Sequence, residues 1–408
     1  MPGTAPPLPR MPLAERLRAA VGTRTGLFLA GAIVLQWLST LCVATFGATN
    51  VGWRFEQSTD AFASVQGAFR LVDGDLPREG PGLLWPIVIS PFASVADTLD
   101  GVLAGVVLLN VLVLGPIALV SAYWVAARIG GRLLGAWTIV LWLLGPWLLL
   151  LFALDPYDPV VRDRVMPLVL GLTAEPAYPA AVALVASAAL ISTSLDRRSL
   201  AGAALAGLVA GAAVAVEPHS LLFLGAAAGA YVAARRIPEA GVFALALAPS
   251  VLAVMLWQAR AVDGPDPLAF GPVDWGVFTN NMAGLREFFW SQRLLEWLPL
   301  AGVIAVARRS VPLALLLGGW MISFGVVLGS QPDARMEGGG IFRVLLPALP
   351  AYIVLVAAIP LLVPTLAVKL GRKLDPLSPG YRPGRNALAI AAVVLALMPL
   401  ATAALGAV

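Results

Sequence analysis

The residues of this chain best placed to do chemistry are carboxylates and arginines that stand at the edges of long apolar runs. Asp60 follows the first apolar run by about a dozen residues, within Ser58-Thr59-Asp60-Ala61-Phe62. A second polar interval carries Asp155, Asp158, Asp163 and finally Glu175, in Thr-Ala-Glu-Pro-Ala-Tyr at the mouth of the next run. A carboxylate at such a mouth can serve as a general base that takes the proton of an acceptor hydroxyl. Arg335 and Arg343 bracket a Gly-rich turn, Met-Glu-Gly-Gly-Gly-Ile-Phe, just before a late apolar run. Guanidinium forks grip phosphate oxygens in pairs, and a Gly-rich turn opens backbone N–H groups to an anion. His219 follows Glu217-Pro218 in a short turn between two apolar runs, where an ionisable group near the membrane is a functional candidate. The plainer alternatives are solvated loop acids, arginines snorkelling to phospholipid head groups, and a helix-end histidine.

The elements that must position these residues are set by composition. Charged residues make up 12% of the 408, against about 25% in soluble domains. The hydrophobic share is 59%, mean hydropathy is +0.87, and the apolar runs repeat at about 20 residues. That combination is an all-α polytopic membrane protein. The single cysteine, Cys42, excludes a disulfide within the chain and reads as a small buried hydrophobe. One histidine excludes a multi-histidine metal site. No metal site and no cofactor is expected, with a divalent ion left open, and the triple glycine lacks the strand and helix of a nucleotide fingerprint. The net charge of +4 does not point to nucleic acid, because the charges sort by membrane side.

Eleven spans are expected, at about 26–48, 101–127, 133–153, 177–195, 199–216, 219–234, 240–258, 295–307, 311–330, 344–368 and 387–407. The first reads as an uncleaved signal anchor. With the N-terminus in the cytoplasm, alternation puts 17 of the 27 basic residues inside with four acids, and ten basic residues outside with 19 acids. The positive-inside rule favours this orientation, which leaves the C-terminus outside. A tail over 1–25 precedes one transmembrane domain over 26–408. Its inner connections are mostly short, whereas the outer loops 49–100, 154–176, 259–294 and 331–343 are long. Interfacial helices are expected in the first and fourth outer loops. One begins near Asp60, capped by Ser58 or Thr59, with Phe62, Val65, Phe69 and Val72 on one stripe. The other covers 285–297, with Phe288, Phe289, Trp290 and Trp297. Asp73-Gly74-Asp75 reads as a turn that shapes the first loop.

Four stretches of that loop carry a resemblance: Ser58-Thr59-Asp60-Ala61-Phe62, Gln66-Gly67-Ala68, Val72-Asp73-Gly74-Asp75-Leu76-Pro77 and Gly80-Pro81-Gly82-Leu83-Leu84-Trp85-Pro86. Together they resemble the first outer loop of C-type-fold membrane glycosyltransferases that use polyprenyl-phosphate sugars, such as protein O-mannosyltransferases and arabinosyltransferases. The runs Leu205–Pro218 and Phe342–Ala358 resemble later spans of the same family. The chain departs from many relatives in having Asp60-Ala61 where they have Asp-Glu, and Phe62 where some have Tyr. The resemblance implies that Asp60 is the base, that Glu175, or Asp155 or Asp158, is a second acid, and that Arg335 and Arg343 hold the lipid phosphate. It implies a polyprenyl-phosphate sugar donor, surrounding membrane lipids, and a glycan, lipid or protein acceptor. It also implies inversion at the sugar carbon, a plasma-membrane location and an extracytoplasmic active face.

Two other classes compete with the transferase. A lipid-linked sugar flippase or transporter would place acids and bases inside its spans, and the span interiors here are almost free of charge. A non-catalytic partner subunit would keep the fold and lack the chemistry.

Overall fold

The computed structural model describes residues 24–46, 57–96, 98–154, 157–261, 271–288, 294–335 and 339–363. Every regular element among them is helical. The helices are α1 (Arg24–Phe46), α2 (Thr59–Val72), α3 (Leu84–Ala93), α4 (Leu99–Leu109), α5 (Gly115–Phe152), α6 (Ala177–Arg197) and α7 (Leu200–Val216). They continue as α8 (Phe223–Ala233), α9 (Ile237–Ala261), α10 (Trp275–Phe288), α11 (Leu294–Ala307), α12 (Val311–Gly329), α13 (Gly340–Leu345) and α14 (Leu349–Ala358). Among the described residues, six stretches are long and apolar enough to cross a membrane: Arg24–Ala44, Leu99–Phe152, Ala177–Arg197, Ile237–Arg260, Val311–Gly329 and Gly340–Leu362. The apolar helices Leu84–Ala93, Leu200–Val216, Pro218–Ala233 and Leu298–Ala307 are shorter. The first nine expected spans, and 344–363 of the tenth, fall on helical stretches of the described residues. The eleventh, 387–407, lies outside the described residues, as does nearly all of the N-terminal tail.

The stretch Leu99–Phe152 has 54 residues. As one straight helix it would be about 80 Å long, far beyond a hydrocarbon core of about 30 Å. It is instead a hairpin, broken at Gly130 and Gly131, where Gly131 takes φ 79° and ψ −176°. That conformation is open essentially to glycine alone. The two arms then run side by side. The Trp37 indole donates to the Val111 carbonyl (2.9 Å), and the Trp147 indole donates to Ser39 Oγ (3.0 Å), so both arms meet α1 at the same level. A Cβ on Gly135 would lie 2.8 Å from the Tyr123 ring, which confirms the reversal. The expected separation into spans 101–127 and 133–153 matches these two arms.

The apolar core runs through α5, α6, α7, α8, α12 and α14. It is rich in alanine and glycine because helices without a large side chain between them can approach closely in a membrane. At Gly207 a Cβ would sit 2.2 Å from the Phe243 carbonyl oxygen, so α7 lies directly on α9.

The basic connections gather at one end of the bundle. Arg128 forms an ion pair with Asp196, and Arg236 donates to the Leu195 carbonyl (3.4 Å). Of the acids and arginines singled out above, Asp60, Glu175 and Arg343 gather at the other end, where α6 begins.

Two expectations about the interfacial helices are corrected. In α2 the buried face is Ala61, Ser64, Val65, Gly67 and Ala68, while Phe62 and Val72 are exposed. The small face wins because Gly67 packs against Pro77 and Pro86, and a Cβ there would come within 3.1 Å of Pro77. In the fourth loop the helix is Trp275–Phe288, about ten residues earlier than expected, and 289–293 lie outside the described residues. Cys42 is half-buried rather than buried.

Candidate functional site

The site is built from three connections brought to one end of the bundle. The first is the start of α2. Ser58 is its N-cap, with Oγ accepting from the Ala61 N–H (3.1 Å), which places Asp60 in the first helical turn. The helix dipole favours a carboxylate there. The far end of α2 closes in a Schellman turn: Gly74 N–H donates to the Leu71 carbonyl, Asp75 N–H donates to Arg70 (2.8 Å), and Gly74 sits at φ 89°. Asp73-Gly74-Asp75 is therefore a helix stop. It turns the chain back so that the Trp257 indole can donate to the Pro77 carbonyl (2.9 Å).

The second connection is the strap 171–176 between the short helical segment 158–169 and α6. It carries Glu175, which is 3% exposed. Ser58 Oγ donates to Glu175 Oε2, so one hydroxyl both caps α2 and pins the buried carboxyl. Gln57 Oε1 accepts from the Ala174 N–H (3.0 Å), and the Trp85 indole donates to the Ala174 carbonyl (2.8 Å). The first loop and the strap are thus tied together at three points.

The third connection is the turn into α13. Arg343 reaches across 283 positions of sequence to Asp60, with Nη1 donating to Oδ2 at 2.9 Å. Both side chains are half-buried. A cavity of about 350 Å³ opens beside this pair. Its lining includes Ser58, Glu175, Arg164, Arg343, Gly339 and Gly340. Asp60 lies next to it, one residue beyond the lining residue Thr59, held by an arginine that does line it.

The electrostatics separate the two carboxyls. Burial pushes Glu175 up to about 8; the hydrogen bond from Ser58 opposes this, while the nearby Asp60 charge adds to it. Glu175 is therefore largely protonated at neutral pH. Asp60 is also raised, by burial first and by Glu217 second, with Arg343 pulling it down. Its neighbours further include His219 and Asp333. Glu217 is buried at the end of α7 and bonds His219 Nδ1 at 2.8 Å.

Of the residues expected from sequence, Asp60, Glu175, Arg343 and His219 come together at this end. Asp158 is half-buried at the start of the segment that supplies Arg164 to the cavity, and it is not among the lining residues. Arg335 is exposed and not among the lining residues. Asp155 lies outside the described residues. Three participants were missed. Arg164 sits among loop charges, Ser58 was named only as a cap, and Glu217 was noted only as a neighbour of His219. Nothing in local sequence distinguishes Arg164 from Arg162, two positions away. Among the described residues, no group of three His, Cys, Asp or Glu side chains is placed to hold a metal ion.

The arrangement of the described helices resembles the C-type fold of a solved membrane oligosaccharyltransferase. The similarity is to the archaeal oligosaccharyltransferase AglB of Archaeoglobus fulgidus, at a TM-score of 0.54 and 12% identity. It covers 92% of this chain and 54% of the archaeal one, so this chain spans about half the length of that protein. The archaeal structure was solved with an inhibitory peptide and a dolichol-phosphate. No protein-family model and no curated protein sequence matches the chain.

Proposed function

We propose that this protein is a membrane glycosyltransferase that moves a sugar from a polyprenyl-phosphate donor to an acceptor hydroxyl on a glycan, lipid or protein. The observation that carries the reading is the Arg343–Asp60 ion pair, which couples a carboxylate base to a phosphate-binding group at the rim of a 350 Å³ cavity. The archaeal protein's dolichol-phosphate supports a lipid-phosphate donor.

In this reading Asp60 accepts the proton of the acceptor hydroxyl as that oxygen attacks the anomeric carbon. The bond from that carbon to the lipid-phosphate oxygen breaks, the electron pair leaves with the phosphate, and the configuration inverts. The charge that develops on the phosphate faces Arg164 and Arg343 of the cavity lining, the latter already oriented by Asp60. Neutral Glu175 presents a hydroxyl to the same cavity as a hydrogen-bond donor, with no net proton transfer required. The two carboxyls thus take different roles because their surroundings differ. Arg335 is left for the approach of the donor head group. The charge sorting of the loops supports an extracytoplasmic position for this end, and the reading takes the membrane to be the plasma membrane.

The test is transfer from a polyprenyl-phosphate sugar in proteoliposomes. Asp60→Asn is expected to lower the rate by at least 100-fold, within the range contributed by a general base. Undiminished transfer by Asp60→Asn would refute Asp60 as the base. Sugar movement across the vesicle with no transfer by the wild type would favour the flippase instead.

A further inference from the structure

The strap that holds Glu175 is secured from behind by a residue outside the cavity lining. Between α4 and α5 the helix widens into a π-turn over Asn110–Leu114, immediately before Gly115-Pro116. The cause is local, because a proline inside a helix lacks an N–H and its ring crowds the carbonyl four residues earlier. The same arrangement recurs at Val161–Val165 before Met166-Pro167. In the first π-turn the consequence is specific: Asn110, wholly buried, faces the strap.

Its Nδ2 donates to the Gly171 carbonyl (3.1 Å) and to the Thr173 carbonyl (3.0 Å). Both partners are acceptors, so the amide orientation is fixed; flipped, it would set an oxygen against two oxygens. Asn110 Oδ1 is buried with no hydrogen-bond partner, so the amide is held by its donor side alone. The fit is close as well. Gly171 takes φ 74°, and a Cβ there would sit 3.1 Å from Asn110 Cβ. With the Trp85 and Gln57 bonds to Ala174, the strap's carbonyls at 171, 173 and 174 and its N–H at 174 are all satisfied by side chains of other elements. A strap with no secondary structure of its own is thereby held rigid in an apolar setting, with Glu175 just beyond the last clamp.

We propose that Asn110 is a positioning residue for Glu175: by clamping the Gly171 and Thr173 carbonyls from the π-turn it keeps the Glu175 carboxyl buried against Ser58. The charged groups acting on that carboxyl are Asp60 on α2, Arg343 on α13 and Glu217 at the end of α7, with Arg164 lining the same cavity. None of them is attached to Asn110, so removing the clamp changes burial rather than local charge. The proposal rests on the transferase reading only for its effect on transfer. The readout below needs no substrate, so failure of one is distinguishable from failure of the other.

The experiment compares thermal unfolding of the full chain in detergent between pH 5 and 9, for the wild type, Asn110→Leu, Asn110→Ser, Glu175→Gln and the two double variants. The pH-dependent component that Glu175→Gln removes reports the titration of Glu175. With Asn110 intact it is expected to extend to about pH 8. In Asn110→Leu and Asn110→Ser its upper limit is expected to fall by at least one pH unit, and each double variant should match Glu175→Gln in slope. Asn110→Ser is the smaller perturbation and serves if Asn110→Leu does not fold. A merely structural asparagine would lower the melting temperature at every pH and leave the Glu175 component in place. That result in a folded variant would overturn the proposal.

Discussion

Replacing Glu175 by glutamine tests the protonation state on which the division of labour between the two carboxyls depends. The carboxyl is 3% exposed and its folded value is about 8, against an ordinary value of 4.5. The folded protein therefore holds a proton that the unfolded chain has already released. Below about pH 4.5 both forms are protonated and Glu175 imposes no pH-dependent penalty. Between 4.5 and 8 the folded state binds more protons than the unfolded state, so stability falls as pH rises, by about 1.4 kcal/mol per pH unit. Above about 8 the loss is complete, at roughly 5 kcal/mol in total. Glutamine keeps the shape of the neutral acid, its oxygen can still accept from Ser58, and it does not titrate. From pH 5 to 7.5 the wild type is expected to lose about 3 kcal/mol relative to Glu175→Gln. At about 2 °C per kcal/mol, the lower figure for large domains, this is roughly 6 °C of relative Tm. Asp60 is raised as well and contributes a slope of the same sign, but it is present in both proteins and largely cancels in the difference. The assay is thermal unfolding in detergent across that range. Parallel Tm-against-pH curves for the two proteins would show that Glu175 is ionised in the fold, and the argument for a neutral hydrogen-bond donor in the cavity would fail.

Ser58→Ala removes the N-cap of α2 and the bond to Glu175 together; a loss of about 1–3 kcal/mol is expected, with lower transfer activity as Asp60 loses its fixed helical turn, measurable by thermal unfolding and single-turnover transfer. Gly131→Ala forces a Cβ into φ 79°, ψ −176°; a destabilisation of about 1–3 kcal/mol is expected, with the cavity chemistry unchanged in whatever protein folds, and wild-type Tm in this variant would argue against the hairpin between the two arms of α5.

What the sequence disclosed and what it withheld divide along one physical line. The extent of α2 was legible because its signals are local: a cap residue, an acid in the first turn, and a glycine stop 14 residues on all lie within one helix and its ends. The charge sorting was legible because it sums over many loops and tolerates errors in any one. The buried face of α2 was not, because periodicity favours the largest apolar side chains. Packing chose the smallest, since Pro77 and Pro86 press against Gly67. Arg164 and Asn110 were invisible for a further reason. Each acquires its place from a π-turn that a following proline creates, and one added residue per turn rotates a helix face by about 100°. A pattern read at 3.6 residues per turn loses its phase at that point. The same two Xaa-Pro steps that defeat the pattern deliver an arginine to the cavity and an amide to the strap behind it. In a bundle whose spans carry almost no charge, such irregular turns are where polar side chains can be aimed without exposing backbone to lipid.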